Sequence, residues 1–144
     1  MNKIILYILL LLFLIDGKIN AQENVLNNII QSAKSINSDV GKQINMARSH
    51  ERAGLIKEAE LIYSQLFSAH PTNLHVFSSY KTFLTKQGNW ELLINVSLIY
   101  SSRMGDDPYA KLALADTYLI VNNETEALEI FDELFYWKTI ISWF

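Results

Sequence analysis

The chain has 144 residues, 50% hydrophobic and 12% aromatic, with a formal net charge of −3. That length holds about one domain and that apolar content fills its core, which excludes disorder throughout. The mildly acidic balance supplies no basic surface for nucleic acid, and the absence of cysteine leaves neither a disulfide nor a lipid-modified N-terminal cysteine.

At the N-terminus Lys3 precedes an unbroken apolar run, Ile4 to Ile15, closed by Asp16-Gly17-Lys18. A run of about 12 residues is short of the roughly 20 that a spanning helix needs, and it fits the core of a secretory signal. Residues 1–21 are therefore predicted to be a signal peptide cut after Ala21, with an uncleaved anchor as the alternative. Export places the mature chain in the periplasm or at the cell surface. Losing Lys3, Lys18 and Asp16 leaves 10 basic and 14 acidic residues, a net charge of −4.

Beyond the leader, Val25, Leu26, Ile29, Ile30, Ala33 and Ile36 fall at helical spacing, predicting a helix over 23–37 within an N-terminal cap segment, 22–39. Further helices are predicted over 42–53, 56–69, 74–87, 90–103, 108–121 and 124–137, with no strand-like alternation. The breaks are periodic: Gly54, Gly88 and Asn122 stand 34 residues apart, and glycine and asparagine suit the left-handed backbone that ends a helix. Units then cover 40–73, 74–107 and 108–137. This frame aligns Ala47 with Lys81 and Ala115, Ala59 with Leu93 and Ala127, and Tyr63 with Ser97 and Phe131. Small residues let paired helices approach, large ones such as Tyr63, Tyr118 and Phe131 fill the space between units, and Pro71 ends the second helix of its unit.

A 34-residue period of helix pairs with these residue types resembles the tetratricopeptide repeat family over residues 40 to about 137. The second unit departs from the pattern at Lys81, Leu93 and Ser97. The resemblance implies an all-α fold, a right-handed superhelical solenoid of antiparallel helix pairs with about three repeats behind the N-terminal cap helix. It also implies a concave face lined by the first helix of each unit. On this chain that face takes Ile44, Arg48, Glu51 and Arg52, then Ser78, Thr82, Thr85 and Lys86, then Tyr109, Leu112, Asp116 and Leu119. Ile44 and Arg48 stand where related domains that clamp a C-terminal carboxylate carry other residues, so that ligand class is not implied. Arg48, Arg52 and Lys86 are suited to attracting an acidic peptide. A plain solvated face is the competing reading.

Catalytic and metal readings find little support. His70 and His75 straddle Pro71 with no ligand set around them, and His50 and Glu51 diverge around a helix. There is no nucleophile elbow, catalytic cysteine or phosphate loop. Asp106, Asp107, Glu124, Glu126 and Glu129 sit at helix starts, where negative charge complements the helix dipole. No enzyme, cofactor or metal is expected. Residues 138–144 continue an apolar end in which Trp137, Ile140, Ile141, Trp143 and Phe144 mark a fold-back, a partner or membrane contact, or a shortened repeat protein. The expected function is an exported, non-catalytic scaffold for protein–protein interaction. The alternative is a truncated or accessory arm of a larger exported enzyme or transport assembly.

Overall fold

A computed structural model describes the backbone of residues 3–141, with side chains between 25 and 135 apart from those of Ala33, Ile36 and Asn37. The side chains around the expected cut after Ala21 and those of the apolar end from Trp137 onward lie outside the described residues. Among the described residues the chain is helical with no strand: α1 (Lys3–Arg52), α2 (Ile56–Ala69), α3 (Leu74–Gln87), α4 (Trp90–Met104), α5 (Pro108–Ile120) and α6 (Glu124–Ile141). Two compact units divide it, residues 1–41 and 42–144. In the first, Val25, Leu26, Ile29 and Ile30 form an exposed apolar stripe along α1. In the second, consecutive helices from α2 to α6 pack against one another.

One expectation fails at the N-terminal side. The separate helices at 23–37 and 42–53 are parts of the continuous α1, and Gly41 lies within it. Ser38, Asp39 and Gly41 are weak helix formers, but a lone glycine inside a helix costs only about 1 kcal/mol. The helix runs on through that point.

Bonds that close a turn appear at the three periodic breaks. Leu55 N–H donates to the His50 carbonyl (2.9 Å), Asn89 N–H to Leu84 (3.1 Å) and Asn123 N–H to Tyr118 (2.8 Å). Inside each runs a second bond: Gly54 N–H to Glu51 (3.1 Å), Gly88 N–H to Thr85 (3.2 Å) and Asn122 N–H to Leu119 (3.1 Å). This nested pair is a Schellman motif, which needs a left-handed residue just past the helix end. Gly54, Gly88 and Asn122 have φ of 77°, 66° and 59°. The alternate breaks recur too. The Asn73 side chain accepts from the backbone of His75 and Val76, and Asp107 accepts from Tyr109 and Ala110, satisfying the free donors of α3 and α5 in the same way.

Ala47, Ala59, Leu93, Ala115 and Ala127 are fully buried, as are Tyr63 and Ser97, whereas Phe131 and Tyr118 are half-buried. Between α2 and α3 the core is aromatic: Tyr63 lies 5.1 Å from Phe83 and 5.8 Å from Tyr80, and Phe67 lies 6.2 Å from Tyr80. Thirty-four residues on, Ser97 and Thr117 replace Tyr63 and Phe83, and their hydroxyl oxygens are 2.8 Å apart. Thr117 already donates to the Ala113 carbonyl, so Ser97 supplies the proton of the pair. Lys81, standing where Ala47 and Ala115 do, extends its nearly buried side chain to the Ala113 carbonyl and the Asp116 carboxylate.

Two measurements test this packing. Ala59→Leu or Ala127→Leu is expected to destabilise by about 1–3 kcal/mol, since both methyls are fully buried and a larger side chain overpacks the contact; unchanged thermal midpoints would refute the close contact. Burial, reinforced by Glu60, pushes the Tyr80 phenol from 10.0 up to about 12. The folded value exceeds the unfolded one, so this contribution, about 3 kcal/mol, is fully present below pH 10 and is lost as the pH rises through about 12. Midpoints measured across that range are expected to fall less steeply for Tyr80→Phe than for the parent.

Candidate functional site

The end of α1 and the facing side of α3 enclose a cleft of about 360 Å³, floored in part by α2. Arg48, Glu51 and Arg52 come from successive positions on α1, while Thr82 and Lys86 lie four apart on α3. Their meeting follows from the period: the first helices of successive units stand beside one another, so contacts join residues about 34 apart. Glu51 and Lys86 form an ion pair at 2.8 Å, and Arg48 Nη2 donates to Ser79 Oγ at 3.2 Å. Arg52 Nε donates to the Arg48 carbonyl at 3.3 Å.

Three cations thus border the cleft against one carboxylate, Glu51, which is itself largely buried. Tyr63 and Phe83 form the inner wall. Burial raises the Tyr63 phenol, the nearby Glu51 charge adds to that, and Arg48 opposes it. The phenol stays protonated at neutral pH and presents a donor.

Of the twelve residues that the sequence places on one face, the cleft gathers five: Arg48, Glu51, Arg52, Thr82 and Lys86. Ser78, Tyr109, Leu112 and Asp116 are not in its lining. Ser78 and Thr82 bond back to their own helix, at the carbonyls of Leu74 and Ser78. Tyr109 and Leu112 are exposed on α5, and Asp116 pairs with Lys81. Ile44, expected on that face, is instead buried in the core. Asn45 and Ser79 are cleft residues that the sequence reading missed. Each stands beside an apolar residue in its helix, and only the 34-residue offset from Ser79 to Asn45 pairs them.

The three histidines are dispersed. His50 shares its Nδ1 with the Met46 carbonyl at 2.9 Å, His70 follows α2, and His75 is in the first turn of α3. Among the described residues no three of His, Asp or Glu gather as a metal-ligand set, and no helix is long and apolar enough to cross a membrane. The chain matches no protein-family model, and no characterised protein matches it at a significant level.

Proposed function

We propose that this chain is an exported, non-catalytic helical repeat scaffold, similar to tetratricopeptide repeat proteins, that binds a segment of another protein. The observation that carries this reading is the cleft between α1 and α3, where Arg48, Arg52 and Lys86 border a space of about 360 Å³ and Glu51 is the carboxylate of the lining. Three cations beside a donor-rich wall favour a segment bearing carboxylates. The recurrence of turns, caps and buried positions at 34 residues supports the repeat reading. The apolar run ahead of Asp16 supports export.

Fluorescence anisotropy with a labelled peptide of alternating Asp and Ser tests the cleft, with an Asn-for-Asp peptide as control. Arg48→Glu combined with Arg52→Glu is expected to weaken binding by about tenfold or more, with helical content unchanged. Glu51→Gln, which removes the opposing charge, is expected to tighten it. Both effects should shrink as salt rises, because the side chains are partly exposed. Equal affinity for the two peptides, or no loss in the double variant, would remove the cleft from consideration.

A further inference from the structure

The helical recurrence has two ends, and the faces that are covered within it are exposed at both. Along α2 and α4 the positions that meet the following helix are buried. Tyr63 and Phe67 lie against Tyr80 and Phe83 of α3, and Ser97 lies against Thr117 of α5. The equivalent positions of α6, 34 residues further, are Phe131, which is half-buried, and Phe135, which is 69% exposed. Beside them Leu128 is 59% exposed. At the other end the receiving positions, Tyr80 and Phe83 on α3 and Leu114 and Thr117 on α5, are all buried. Their equivalents on α1 are Met46, 49% exposed, and Ser49, also exposed.

We propose that the two ends join copies of this chain head to tail, with the Lys42–Arg52 stretch of α1 in one copy covering Leu128 and Phe131 on α6 of the next. Continuity with the internal packing supplies the first argument. Within one chain, each second helix is covered by the first helix of the following unit, and residues 42–52 occupy the first-helix place of the first unit. Charge supplies the second. From Glu124 to Phe135, α6 carries five carboxylates and no basic residue, and four of the five are left once Glu133 has paired with Lys111, whereas Lys42 stands one turn before Met46 on the same stripe of α1. Two copies meeting α6 to α6 would oppose like charges. A thioether is also a favourable neighbour for the Phe131 ring. Such a contact is heterologous, so it leaves one face of each kind exposed at the ends of every assembly.

Light scattering of the full chain in a mild non-ionic detergent reads this out. The parent is expected to form a concentration-dependent series of dimers and longer species. Met46→Glu and Leu128→Glu change exposed residues, one at each end, and each alone should weaken association about tenfold or more, leaving monomer. Mixed in equal amounts, the two variants retain one intact face each and are expected to form a dimer that grows no further. Leu26→Glu with Ile29→Glu, on the earlier stripe of α1, should leave the series intact. A parent that stays monomeric at on the order of 100 μM would overturn the proposal. So would assembly that survives Met46→Glu, or a mixture that recovers no dimer. Circular dichroism of each variant separates lost association from lost folding.

Discussion

A left-handed residue one step past a helix end governs much of this structure. Gly54, Gly88 and Asn122 each turn the chain so that their own backbone N–H and that of the next residue reach carbonyls of the helix just completed. Glycine takes that conformation without steric cost, and asparagine does so at a modest one. Because the same turn returns after the same number of residues, side chains 34 apart occupy equivalent places. Contacts between neighbouring first helices then join residues at nearly that offset. The ion pairs Glu51–Lys86 and Lys81–Asp116 are both 35 apart, one residue beyond the period.

Equivalent places need not be filled by equivalent chemistry, provided that both partners change together. Tyr63 with Phe83 and Ser97 with Thr117 hold the same two positions in successive joints. A tyrosine at 97 facing Thr117 would overfill the second joint, and a serine at 63 facing Phe83 would leave a void in the first. Two hydroxyls solve the second joint differently: both are buried, and each finds a partner, so no desolvation cost is left uncompensated. The apparent irregularity of the second unit is therefore a paired replacement.

The sequence discloses this fold where turn chemistry is explicit. Helices at 56–69 and 74–87 coincide with α2 and α3, because Gly54, Pro71, Asn73 and Gly88 mark their limits. It misleads where weak helix formers occur within a helix: residues 38–41 read as a break, but α1 runs through them. Within the candidate site, the charges at Arg48, Glu51, Arg52 and Lys86 were legible because three first-helix positions recur at 34. The inner wall was not. Tyr63 reads as a packing residue, which it is, and Phe83 is not singled out; a single sequence does not show that one edge of a buried ring also borders a cleft. Ile44 illustrates the reverse error, since periodicity alone does not separate a groove position from the adjacent buried one.

The chemistry of the proposed cleft is asymmetric in a way that follows from these positions. Arg48, Arg52 and Lys86 carry donors only, and the Tyr63 phenol is kept protonated by burial and by Glu51. Thr82 spends its proton on the Ser78 carbonyl within its own helix. Glu51 is the charged acceptor of the lining, and it is engaged by Lys86 at 2.8 Å. Lys86 remains more than half exposed, so its ammonium can take an incoming carboxylate as a further partner while it keeps the largely buried Glu51. The pair holds the lysine over the cleft. An anion entering there adds a second carboxylate to Lys86 and gains the two arginines. A cation would have to compete with all three for Glu51 alone.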